Sequence, residues 1–91
     1  MLYFVIEHFR NKDPKPVYRR FDEFGRMSPE GLRYIDSWVD QDLARCFQLM
    51  ETEDREWIDE WIAKWSDLVD FDVIPVMTSR EAADRVRGRR A

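Results

Sequence analysis

Apolar side chains run almost without a break from Leu2 to Phe9, and most are β-branched or aromatic, so the segment predicts a central strand buried on both faces. Asn11-Lys12-Asp13-Pro14 then has the chemistry of a turn, with Asp13 placed to cap a helix and Pro14 at its first position. Val17, Phe21 and Phe24 recur at helical spacing beside Tyr18, while Arg19, Arg20 and Glu23 fill the opposite side and Gly25 closes the helix. Past a loop at Met27-Ser28-Pro29-Glu30-Gly31, two strand-like runs, Leu32 to Asp40 and Leu43 to Met50, are separated by Gln41-Asp42 and predict a hairpin. Thr52 is placed to cap a second helix, on which Trp57, Trp61 and Trp65 repeat every fourth residue beside Ile58 and Ile62. Phe71 to Met77 predicts a fourth strand, which Pro75 assigns to an edge because it removes a ladder donor. Thr78-Ser79-Arg80-Glu81 is a capping-box pattern that opens a short terminal helix.

The order β-α-β-β-α-β defines an α+β class, a ferredoxin-like four-stranded antiparallel sheet whose first and third strands are central. Residues 1–78 make up this domain, and residues 79–91 a C-terminal helix and Arg-rich tail. Strand alternation divides the sheet into two faces. With the hairpin turning on Gln41-Asp42, one face collects Phe4, Ile6, Tyr34, Trp38, Phe47 and Leu49, bulky enough to receive both helices. The other collects Tyr3, Val5 and Glu7, then Ile35, Ser37 and Val39, then Ala44, Cys46 and Gln48. That second face is half polar; uncovered, it would be an interface or a ligand site. A two-fold dimer packed sheet on sheet would cover it, leaving a cavity lined partly by Glu7, Ser37, Cys46 and Gln48.

Composition sharpens this picture. The four Trp, six Phe and three Tyr of a 91-residue chain supply a core of large rings, which a chain this short needs. The net charge of −4 is unevenly spread: +2 over residues 1–35, −9 over 36–72 and +3 over 73–91. The acidic middle argues against a nucleic-acid surface, which needs a contiguous cationic face, and the basic end reads as a solubilising tail built from Arg85, Arg87, Arg89 and Arg90. A single cysteine, Cys46, forbids an internal disulfide and suits a reducing cytoplasm. The run Leu2 to Ile6 is too short for a signal-peptide core, and no stretch has the roughly 20 apolar residues that span a bilayer, so no membrane association is expected.

Among residues that could carry chemistry, Glu7 stands out, because a carboxylate inside an apolar strand is costly unless paired or raised in pKa. It reads either as a general base or ligand anchor, or as a strand-end carboxylate meeting water, Arg19, Arg33 or a partner subunit. Alternation puts His8 and Cys46 on opposite faces, so they do not form a nucleophile and base, and Cys46 reads as an inert buried thiol. His8 has no second histidine and Cys46 is the sole thiol, so no metal site is expected. The three helical tryptophans could stack a planar ligand, but beside Ile58 and Ile62 they read as core. No glycine-rich phosphate loop is present, and no cofactor is implied.

Seven segments carry a resemblance: Val5-Ile6-Glu7-His8-Phe9, Val17-Tyr18-Arg19-Arg20-Phe21, Gly25-Arg26-Met27, Pro29-Glu30-Gly31-Leu32, Ser37-Trp38-Val39, Cys46-Phe47-Gln48-Leu49-Met50-Glu51-Thr52 and Trp65-Ser66-Asp67-Leu68-Val69. Together they resemble domain-of-unknown-function family 3303, which looks like the dimeric α+β barrel group of small bacterial proteins. The resemblance implies that fold and a homodimer, and brings no reaction with it. Three functions stay open. The protein could bind a small molecule in a cavity at the sheet and dimer interface, lined by Glu7, Ser37, Trp38, Cys46 and Gln48. On the same cavity it could be a cofactor-independent oxygenase or isomerase, with Glu7 as base and Gln48 or Ser37 donating to an oxyanion. It could also be a non-catalytic structural or regulatory dimer.

Overall fold

In a computed structural model describing residues 1–88, four strands form one sheet: β1 (Leu2–Phe9), β2 (Arg33–Val39), β3 (Arg45–Glu51) and β4 (Val69–Val76). Their spatial order is β2-β3-β1-β4, every neighbouring pair antiparallel, so β1 and β3 are central and the Pro75-bearing β4 is an edge. The helices are α1 (Lys15–Phe24), α2 (Glu56–Ala63) and α3 (Ser79–Val86). None of them is long and apolar enough to cross a membrane.

Local chemistry sets the element ends. Asp13 Oδ1 accepts the Lys15 N–H at 3.0 Å, and Gly25, with φ of 72°, ends α1 in a conformation costly for any residue with a Cβ. At α2 the side chain that caps is Asp54, whose Oδ1 accepts the Glu56 N–H at 2.9 Å, and not Thr52 as expected from the sequence. Thr52 Oγ1 instead donates to the Gly31 carbonyl at 2.8 Å, tying the end of β3 to the loop before β2. Gly31 has a packing reason of its own: a Cβ there would overlap the Trp57 indole. At α3, Thr78 Oγ1 accepts the Glu81 N–H at 3.1 Å as the capping pattern requires. No α3 residue is buried; Arg85 and Arg87 are exposed, and Arg89 and Arg90 of the basic tail lie outside the described residues.

The hairpin is wider than the sequence suggested. Its last strand pair is Val39 with Cys46, and Asp40 closes the loop by accepting the Ala44 and Arg45 N–H groups on Oδ1 at 2.9 and 3.2 Å. This slides the pairing by two residues relative to a turn on Gln41-Asp42, which preserves the faces of Ser37, Trp38, Val39, Cys46 and Gln48. A bulge at Ile35 breaks the alternation further back: Tyr34 pairs with Met50 and turns to the same face as Ser37, correcting its assignment beside Trp38.

The larger correction concerns which face the helices cover. Burial alternates along β1, with Tyr3, Val5, Glu7 and Phe9 buried and the residues between them half-exposed. Tyr3, Val5 and Phe9 join Met50, Val69, Val17 of α1, and Ile58, Trp61 and Trp65 of the α2 region in one core. The helices therefore sit on the half-polar face. Phe4, Ile6, Trp38, Phe47 and Leu49, expected to receive them, form the open outer face with Ile74. The reason lies at the ends of the strands: Phe9 and Met50 share the face of Glu7 and Gln48, and β4 adds Val69, Phe71 and Val73. The polar residues thus form only the centre of an otherwise apolar face, and two tryptophans from above supply the volume that covers it.

Candidate functional site

Glu7, Ser37, Cys46 and Gln48 line one cavity of about 180 Å³ between the sheet and the helices. Two cross-strand pairs bring them together, Glu7 with Cys46 and Ser37 with Gln48. The cavity lies inside a single chain, beneath α1, and not between two sheets as the sequence reading placed it. Trp38, the fifth residue assigned to the site, is 52% exposed on the outer face and takes no part in it.

Residues not assigned to the cavity from the sequence complete the site. Arg26 follows the helix-ending Gly25, and its backbone carbonyl accepts both the Trp61 and the Trp65 indole N–H, each at 3.0 Å. These two donors settle the role of the tryptophan repeat. Trp61 and Trp65 are buried core residues that also hold the loop after α1 in place, whereas Trp57 is 39% exposed. From that anchored backbone the Arg26 guanidinium lies 3.6 Å from the Tyr34 ring centroid and 5.3 Å from that of Phe21. Its Nε donates to Gln48 Oε1 at 3.1 Å, which leaves the Gln48 amide N–H₂ as a donor. The Tyr34 hydroxyl sits 2.6 Å from Ser37 Oγ.

Glu7 is only 6% exposed, faces this cavity, and has no side-chain hydrogen bond or ion pair among the described residues. It meets neither Arg19 nor Arg33, side chains expected to partner a strand-end carboxylate; Arg33 pairs with Glu51 at 2.7 Å instead. Burial pushes its pKa up to about 7, and the positive charge of Arg26 offsets only part of that rise. Burial also pushes the half-buried Cys46 thiol up to about 12, with Glu7 adding to the shift and Arg26 opposing it, so the sulfur is a neutral, unreactive wall. The phenol of Tyr18, across the cavity on α1, is raised by burial as well. The site can accept or release one proton near neutrality, at Glu7, beside a fixed positive charge.

A larger groove, of about 690 Å³, runs past His8, Arg10, Asp40, Arg45 and Asp70 at one end of the sheet. Its arginines pair with its own carboxylates, Arg10 with Asp70 at 3.2 Å and Arg45 with Asp40 at 3.0 Å.

Strand order and helix placement define a ferredoxin-like α+β fold. Among solved structures the chain is similar to an antibiotic biosynthesis monooxygenase, at 23% identity and a TM-score of 0.50, over 86% of this chain and all of that one. That likeness shows the fold. The chain belongs to the family described as Domain of unknown function (DUF3303), whose model matches residues 1–89. No curated protein matches it significantly.

Proposed function

We propose that this protein binds a small organic molecule in the cavity beneath α1, with Glu7 as the group that exchanges a proton with it. One observation carries the reading: a largely buried carboxyl that opens on a cavity and has no partner among the described residues. Burial disfavours the ionised form of such a group, and carboxyls perturbed in this way concentrate where ligands bind and protons move. At about 180 Å³ the space is below the roughly 300–1,000 Å³ of pockets for drug-sized ligands, so it suits a single ring. Thermal shift with phenol, benzamide and sodium benzoate tests this. At least one should raise the melting temperature, and the effect should vanish in Val39→Phe, which fills the cavity while circular dichroism reports an unchanged fold. No shift with any of them at millimolar concentration would overturn the reading.

An enzymatic reading uses the same groups. Glu7, half-ionised near pH 7, would remove a proton from carbon next to a carbonyl, and the Gln48 amide and Ser37 hydroxyl would donate to the enolate oxygen. That is the first step of an isomerase. A cofactor-independent oxygenase would begin in the same way, with dioxygen as the second reactant. What favours it is the match between the Glu7 pKa and neutral pH. Deuterium exchange from solvent into phenylacetone, followed by NMR, should be catalysed by the wild type and abolished in Glu7→Gln. Equal exchange by the two proteins would remove Glu7 as the base.

We infer in addition that a second copy of the chain covers the outer face. Trp38 and Ile74 are 52% and 44% exposed there, flanking the half-exposed Phe4, Ile6, Phe47 and Leu49. A contiguous apolar sheet surface of this kind marks an interface. The dimer then rests on the bulky face and the cavity on the other, so the two are separable. Sedimentation should give twice the 11.1 kDa chain mass, reverting to the chain mass in Phe47→Glu; a wild-type monomer would overturn the pairing. A reducing cytoplasm remains the compartment that the lone Cys46 suits.

A further inference from the structure

We propose that the cavity selects a small monoanion, a single-ring carboxylate, held between the guanidinium of Arg26 and the carboxyl of Glu7; this rests on the cavity being a binding site. Arg26 differs from five other arginines of the chain. Arg10, Arg20, Arg33, Arg45 and Arg55 each pair with a carboxylate. Arg26 pairs with none among the described residues, yet it is held more firmly than a solvated arginine. Two indoles grip its carbonyl, Tyr34 and Phe21 flank its guanidinium, and Gln48 receives its Nε. Nη1 and Nη2 have no acceptor among the described residues. A planar guanidinium fixed in this way offers its remaining donors to a planar anion.

Glu7 supplies the second half of the recognition. It faces the same cavity without reaching Arg26, so an ion pair between them does not already satisfy either group. As a neutral acid, its hydroxyl would donate to one oxygen of a carboxylate whose other oxygen meets Arg26. As an anion it would repel that ligand. The other titratable groups facing Glu7 are Tyr18 from α1, Arg26 from the loop and Cys46 from β3; α2 contributes only Trp61 and its neighbour Trp65 to the lining, and β4 none of it. Tyr18 and Cys46 are raised and remain neutral, so Arg26 and Glu7 alone set the charge of the site. Because burial brings Glu7 to about 7, an incoming anion takes up a proton as it binds at neutral pH. The aromatic and aliphatic walls formed by Phe9, Val17, Phe21 and Trp61 would take the ring.

Titration calorimetry with sodium benzoate and its neutral isostere benzamide, at pH 6 and pH 8, tests the assignment. Benzoate should bind at least about tenfold more tightly than benzamide at pH 6, the scale of one charge-assisted hydrogen bond. Its affinity should fall at pH 8, with proton uptake detected by repeating the titration in buffers of different ionisation enthalpy. Arg26→Gln should erase the preference for benzoate over benzamide, and Glu7→Gln should remove the pH dependence. Benzamide binding as tightly as benzoate would overturn the anion assignment and leave the cavity reading intact. Binding of neither probe, nor of phenol, would overturn both.

Discussion

Glu7 and His8 are consecutive on β1 and live in opposite surroundings. Glu7 points under the helices, is buried, and has no partner among the described residues; His8 points outward, its Nε2 2.8 Å from Asp72 Oδ2, both side chains well exposed. The difference repeats across the sheet. Inside, polar groups are few, enclosed and incompletely paired, and Glu7 and Cys46 have strongly shifted pKa values. Outside, large apolar side chains lie open between charges that pair with each other. One-residue alternation separates a surface suited to recognising a ligand from one suited to a partner chain, and each can be altered without touching the other.

The strongest way to sharpen this contrast is to remove a large ring from each face. Trp61 is 1% exposed, packs edge-on against Phe71 at 5.5 Å and donates to Arg26, so Trp61→Ala should cost about 3–5 kcal/mol. That is a large part of the roughly 5–15 kcal/mol available to a small domain. Trp38→Ala on the open face should move chain stability by only about 0.5 kcal/mol once dissociation is held constant. Urea midpoints at fixed low protein concentration compare the two. A Trp38 effect as large as that of Trp61 would mean that the outer face belongs to the folding core.

The next effect is in Glu7 and has the opposite sign. Unfolded, its carboxyl ionises near 4.5; folded, near 7. Between those values the folded chain holds the proton that the unfolded chain has lost, so stability falls as pH rises through the window and is lowest above pH 7. The full penalty is roughly 3 kcal/mol. Glu7→Gln should therefore leave the melting temperature near that of wild type at pH 4.5 and raise it by on the order of 10 °C at pH 8. A variant that is destabilised equally at both pH values would show that the ionised carboxylate is compensated in place.

These two residues also show how far the sequence reaches. Periodicity identified the strands and placed Tyr3, Val5, Ser37, Val39, Cys46 and Gln48 on the face of Glu7, and the oddity of a carboxylate in an apolar run marked Glu7 itself. Alternation cannot say which face the helices will cover, because that depends on the volume arriving from α1 and α2. Phe9 and Met50, counted on the Glu7 face, would have pointed the right way. The bulge at Ile35 left no mark in the residue pattern, so Tyr34 was assigned to the wrong face. Arg26 sits in a loop without periodicity, and its place depends on two indole donors some 35 and 39 residues away. A carbonyl shared by distant side chains is a tertiary fact with no local signature.

The smallest effect concerns His8. Its contact with Asp72 joins two exposed side chains, and pairs of that kind contribute about 0–1 kcal/mol because water already solvates both groups. A double-mutant cycle of His8→Ala and Asp72→Ala, read by urea unfolding, should give a coupling below about 1 kcal/mol that shrinks further in 0.5 M salt, at a Debye length of roughly 4–5 Å. Should the coupling exceed 2 kcal/mol, the pair would have to be shielded from water in solution. Only something seated on the outer face would shield it, and repeating the cycle in the Phe47→Glu background would tell whether that cover is the second copy.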